Sequence, residues 1–279
     1  MNACSIDDPA YTKSQITDST GAVIDLKYAD GKPRVSSMPY LYDIAEGNIS
    51  DHTAWSKMGY NPDVGTTEED MWSYSAAYTF PAAAGQMEVV SSSGNDINGG
   101  SGINKLRLEY LDASYNEHYE VITMNGLVAV PTTATNIYRI NALWAETTGV
   151  GLKAAGNITL RGVGGGTVYN YITAGYTHAR NAQYTVPLGK TVYITSVSLS
   201  AISAKDIRFT IRTNYNTKTS AHVSFFIPVA EIFLNSNTFT REYEIPIKLV
   251  AKTDFRLSVV AIGTSGTPQA NSVFRGWIE

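Results

Sequence analysis

Apolar and polar positions alternate along most of the chain, with no helical period between the runs. From Lys105 to Tyr110 the order Lys, Leu, Arg, Leu, Glu, Tyr places Leu106, Leu108 and Tyr110 on one face, as a half-buried strand requires. Asp112–Asn116 predicts a turn, and Tyr119–Met124 predicts the strand that runs back from it. Asn125-Gly126 is the strongest short turn signal, and further strands are expected at Ile137–Trp144 and Asn157–Arg161. Glycine-rich loops at Ser91–Gly102 and Gly162–Gly166 separate these elements.

Beyond Tyr176 the pattern is more regular. A strand at Tyr184, a turn at Pro187–Lys190 and a long strand at Val192–Ser200 are followed by strands at Ile207–Thr213, Val223–Ile227, Phe239–Ile245, Phe255–Ile262 and Val273–Ile278. Even spacing without intervening helices predicts a sandwich or jelly roll rather than βαβ units. The first fifty residues carry only short apolar pieces, such as Ala22-Val23-Ile24, among Gly, Pro, Asp and Ser, and read as an extended arm.

Between arm and strands lies Trp55–Trp72. Asn61-Pro62-Asp63 is a turn signal, Gly65 permits a second change of direction, and Thr66–Glu69 suits one short helical turn. The run reads as a hinge whose aromatics anchor it, with Trp55, Tyr60, Asp63, Glu68 and Trp72 as candidate partner-binding residues. The expected fold is therefore all-β: an N-terminal arm over 1–54, a linker and first antiparallel β-sandwich over 55–175, and a jelly-roll-like C-terminal β-sandwich over 176–279.

Composition narrows the function. Only 16% of the 279 residues are charged, while 18 Tyr and 23 Gly accompany abundant Ser, Thr and Val, the mix of short strands and tight turns. The net charge of −4 and the lack of clustered Lys and Arg argue against a nucleic-acid partner. No apolar run is long enough for a membrane helix, and the N-terminus lacks the basic start and apolar core of a signal peptide, so synthesis in a cytoplasm is expected. The single Cys4 has no partner for an internal disulfide.

Chemistry-bearing patterns are few. His52, His118, His178 and His222 have no second ligand at metal-site spacing, so neither a metal nor a cofactor is expected. His118, beside Glu117 and Glu120, reads as a local ion pair. Gly162–Gly166 lacks the lysine and the following helix of a phosphate loop and reads as a flexible turn. There is no G-x-S-x-G, and the run Glu68-Glu69-Asp70 does not by itself give the opposed carboxylates of a glycosidase. A non-enzymatic role is expected, with tyrosine stacking on glycans as a rival reading.

The run W-S-K-x-G-Y-N-P-D-V-G-T-T-E-E-D-x-W at Trp55–Trp72, with L-x-Y-L-D-A-S-Y-N-E at Leu108–Glu117, Y-R-I-N-A-L at Tyr138–Leu143, Y-T-V-P-x-G-K-T-x-Y-I-T at Tyr184–Thr195 and K-T-D-F-R-L at Lys252–Leu257, resembles tailed-bacteriophage virion proteins. The resemblance covers about residues 55–279 and implies a structural component of the virion. The first expectation is a capsid decoration or cement protein, held to the major capsid protein through its arm and hinge. A collar, tail or fibre adaptor bound to portal or tail proteins, or a glycan-binding host-recognition module, are the alternatives. A homo-oligomer is expected. A trimer is compatible with either seat, although no heptad or repeat specifies three copies.

Overall fold

A computed structural model describes residues 40–203, 205–215, 226–263 and 268–279. Cys4, His222, most of the expected arm and the start of the expected strand at Val223–Ile227 lie outside those residues. The described chain is all-β apart from one short helix, α1 (Tyr40–Ala45). Its first strands are β1 (Thr53–Asn61), β2 (Glu69–Asp70), β3 (Met87–Ser91), β4 (Ile103–Leu111), β5 (Glu117–Thr123), β6 (Val130–Pro131), β7 (Arg139–Thr148), β8 (Ile158–Gly162) and β9 (Val168–Ile172). They continue with β10 (Tyr184–Thr185), β11 (Val192–Ile202), β12 (Asp206–Tyr215), β13 (Ile227–Leu234), β14 (Thr238–Leu249), β15 (Thr253–Ile262) and β16 (Gln269–Ile278).

These strands form four antiparallel sheets. Sheet I has the order β1-β16-β11-β14, and sheet II the order β10-β15-β12-β13 with β2 also on β15. Sheet III is β6-β3-β8-β9 and sheet IV is β5-β4-β7. Sheets I and II enclose one apolar core. Ile207, Phe209 and Ile211 of β12 alternate with Arg208, Thr210 and Arg212, so period-two patterning turns the first three toward Val197, Leu199 and Phe274 of sheet I. Sheets III and IV enclose a second core, to which β4 contributes Leu106, Leu108 and Tyr110 and β8 contributes Ile158 and Leu160.

In sheets I and II, eight strands pair in a nested series. The first, β1, pairs with the last, β16, over nine consecutive positions from Thr53↔Ile278 to Asn61↔Ala270. Inside that pair, β2 meets β15, β11 meets β14 and β12 meets β13. The second core is inserted into this series between β2 and β11. The chain leaves and returns at one place, because Trp72 bridges Asn181 and the Ala182 N–H donates to the Met71 carbonyl at 3.0 Å.

The expected boundary at residue 55 is thereby corrected. Trp55–Trp72 is not a linker to the first sandwich: it supplies two strands of the carboxy-terminal unit, since Trp55, Val64 and Met71 bury in the core of sheets I and II. Thr66–Glu69 makes no helical turn. Glu69-Asp70 is strand β2, and the Glu69 carboxylate instead accepts the Gly65 N–H and closes the loop. Within the expected arm, Tyr40–Ala45 is helical and Ile44 is buried.

Candidate functional site

The five residues expected to meet a partner are mostly engaged inside the fold. Trp72 is 2% exposed, its indole N–H donating to the Ala76 carbonyl at 2.7 Å, and its ring meets Tyr78 edge-on. Trp55 is 8% exposed and packs edge-to-face on Tyr184 at 5.3 Å between centroids. The Tyr60 hydroxyl donates to Gln269 Oε1 at 2.9 Å, and the Arg180 guanidinium covers its ring at 4.1 Å. Glu68 pairs with Arg212 at 2.7 Å and Arg208 at 3.3 Å. Asp63 is exposed, on a turn closed by its own N–H donating to Asn61 Oδ1. The run is an internal brace of the carboxy-terminal unit, and Glu68 and Asp70 within it face arginines of sheet II.

The same holds for Asp70. Its carboxylate lies 2.9 Å from Arg256 Nε and accepts the Tyr78 N–H at 2.6 Å. Burial nevertheless pushes its pKa up to about 6, with the Arg256 charge and the Tyr78 N–H opposing that rise.

The two units are joined through buried polar contacts. Arg139 of β7 reaches Asp254 of β15 with two parallel hydrogen bonds, Nε to Oδ1 at 2.9 Å and Nη2 to Oδ2 at 3.0 Å. Its remaining arm donates to the Pro81 carbonyl, and its flat face lies over Tyr138 at 3.9 Å. Beside it, Asn141 and Thr185 exchange two hydrogen bonds of 2.9 Å, and the Thr185 hydroxyl donates to Asp254 Oδ1. Lys57 of β1 extends into this junction, where its ammonium donates to the Asn141 carbonyl. Burial pushes the Lys57 pKa down to about 8, with the Glu109 carboxylate pulling the other way.

Next to Lys57 the junction opens into a cleft of about 500 Å³. One wall is β1, and the other is the outward face of sheet IV. On that face the register places Arg107 between Val121 of β5 and Trp144 of β7, and Glu109 opposite Tyr119. Arg107 Nε donates to Glu109 Oε1 at 3.2 Å, and its guanidinium lies 3.9 Å from the centre of the Tyr119 ring and 5.6 Å from that of Trp144. Tyr119 is 61% exposed. A smaller recess of about 290 Å³ continues past Lys57 and Trp144 toward His178.

None of Lys57, Arg107, Tyr119 or Trp144 was singled out by sequence reasoning as a site residue. The signal was present in the strand pattern: the polar members of β4, read only as its solvent face, are the ones that line the cleft.

The other candidates resolve locally. His118 pairs with Asp112 at 2.9 Å rather than with Glu117 or Glu120, because the hairpin turn brings Asp112 back over β5. Desolvation would raise the Asp112 pKa, but hydrogen bonds from His118, Asn116 and Ser114 outweigh it and hold the carboxyl near 2. The Gly162–Gly166 loop wraps a carboxylate: the N–H groups of Gly164 and Gly165 donate to Glu88 at 3.0 and 3.1 Å, while Arg161 pairs with it at 2.7 Å. Gly164 and Gly165 both adopt positive φ there, which lets adjacent N–H groups converge on one anion. Among the described residues, no group of three or more His, Cys, Asp or Glu side chains is placed to hold a metal ion.

No protein-family model matches the chain, and no curated protein matches it. Among solved structures, a chain from the structure of infectious bursal disease virus Gt strain is similar at 10% identity, over 86% of this chain and 76% of that one, with a TM-score of 0.17. A likeness at that level carries no argument about fold or function.

Proposed function

We propose that the chain is a non-enzymatic structural protein of a tailed-bacteriophage virion, seated on the capsid as a decoration or cement protein. The observation that supports this most is the nested pairing of β1 with β16, β2 with β15, β11 with β14 and β12 with β13. Eight strands wound in that order across two facing sheets make a jelly roll, an architecture shared by viral capsid and lectin domains. The insertion between β2 and β11 is then a second β-sandwich carried on the jelly roll. Together with the resemblance of residues 55–279 to virion proteins, the arrangement suits a surface component in which one unit seats on the particle and the other projects.

Interior chemistry supports the same role. The buried ionic groups described above, Asp70, Glu88, Arg139 and Asp254, are each held by partners within the fold, as in a structural protein. Quantitative mass spectrometry of purified particles tests the proposal. Peptides of this chain in fixed ratio to the major capsid protein, retained through gradient sedimentation, are expected. Their absence from particles that are otherwise complete overturns it.

A further inference from the structure

We propose that the cleft between β1 and the outward face of sheet IV is an oligosaccharide-binding site. The argument rests on the chemistry of its lining and does not depend on where the chain sits in a particle. Sugars present apolar C–H faces together with hydroxyls that both donate and accept, so a site for them combines an accessible aromatic ring with donors and acceptors side by side. The cleft has this combination. Tyr119 projects its ring at the mouth, held upright by the Arg107 guanidinium stacked on one face.

Arg107 spends only Nε on Glu109. Among the described residues its two terminal nitrogens have no hydrogen-bond partner, nor does the Trp144 indole nitrogen. Glu109 Oε2 and the Glu117 carboxylate likewise stand as open acceptors on the same wall. Lys57 closes the inner end, its ammonium anchored on the Asn141 carbonyl. The volume, about 500 Å³, lies inside the range of about 300–1,000 Å³ usual for small-ligand sites. Other ligand classes fit less well. Two carboxylates beside Arg107 repel a phosphate or nucleic-acid backbone, and four charged groups make a poor lining for a purely apolar molecule.

Arg107 serves here as a planar donor held in place between the Tyr119 and Trp144 rings, which lowers the conformational entropy lost when it engages a ligand.

The test uses the full chain on an array of neutral and acidic oligosaccharides from disaccharide to hexasaccharide, followed by titration of the strongest binder. Binding is expected, with Tyr119→Ala and Arg107→Ala each weakening it about tenfold. Tyr42→Ala, an exposed ring on helix α1 outside the cleft's lining, should leave it unchanged. Because a variant could lose its fold, the wild-type protein supplies a second readout: the Trp144 indole N–H resonance should shift on titration. An array with no binder, binding that survives both cleft substitutions, or resonance shifts confined to other parts of the molecule would each overturn the proposal.

Discussion

Arg139 of β7 and Asp254 of β15 meet in a two-pronged ion pair, 115 residues apart in sequence, where the inserted unit rests on sheet II. Both side chains are almost completely buried, at 6% and 2% exposure. Removing one partner leaves the other as a buried charge without its counter-ion, which typically costs about 3–5 kcal/mol. Asp254→Leu and Arg139→Met should therefore each lower the denaturant midpoint sharply. The double substitution Arg139→Met/Asp254→Leu should lose much less than the sum, since no charge is then stranded. Additive losses measured in a chemical-denaturation cycle would show that the pair is not coupled.

Asp96 is a second internal fastener. Its carboxylate accepts from the Ser91 hydroxyl at 2.6 Å and from the N–H groups of Ile103, Ala155 and Gly156 at 2.8, 2.9 and 2.8 Å. Both ends of the β3–β4 loop and the β7–β8 loop thus converge on one side chain, and a Cβ at Gly102 would come within 2.1 Å of Asp96 Oδ1. Asp96→Ala strands buried amides at about 1–3 kcal/mol each. Hydrogen exchange should speed up at Ala155 and Gly156 in that variant; unchanged protection would mean that the loops hold without the carboxylate.

Two ionisable groups give opposite pH slopes. Asp70 titrates near 6 in the fold against an ordinary value of 3.8, so between those limits the folded chain holds a proton that the unfolded chain has released. Stability from this group therefore falls as pH rises from about 4 to about 6. Lys57, held near 8 against 10.5, does the reverse: the unfolded chain binds more protons in that window, and stability rises with pH between the two values. Melting curves of Asp70→Asn and Lys57→Met should each lose the corresponding slope. Retention of the acid-side slope in Asp70→Asn would assign it to another carboxylate.

The glycine-rich loop gives a local prediction. With Glu88→Ala the Gly164 and Gly165 N–H groups lose their acceptor, and Arg161 loses its carboxylate. Exchange at those two amides should accelerate while the core of sheets I and II keeps its protection. Slow exchange there would mean that the loop is held by its β8–β9 hairpin alone.

Strand character was legible in the sequence because alternation is local. Leu106, Leu108 and Tyr110 face inward as their spacing requires, and the turns at Asp112–Asn116 and Pro187–Lys190 close with the hydrogen bonds Tyr115 N–H to Asp112 and Lys190 N–H to Pro187. Pairing was not legible. Trp55 lies opposite Gly276, a separation that no local pattern encodes, so a strand of sheet I reads as a hinge. Strand β13 was missed because Ile227–Leu234 carries Pro228 and several half-exposed apolar residues, which blurs the alternation of an edge strand. The cleft escaped for a related reason. Arg107 and Glu109 are ordinary polar positions until Lys57 of β1 is brought to Asn141 of β7, a contact that no local pattern encodes.

A cryo-electron microscopy map of the purified particle tests the central claim most directly. The account predicts copies of this chain distributed over the capsid lattice, each an eight-stranded jelly roll with β1 paired to β16 and a second β-sandwich leaving and returning at Trp72 and Asn181. Density for the chain confined to the portal vertex or tail would contradict the capsid seat, and a complete particle without it would contradict the virion role altogether.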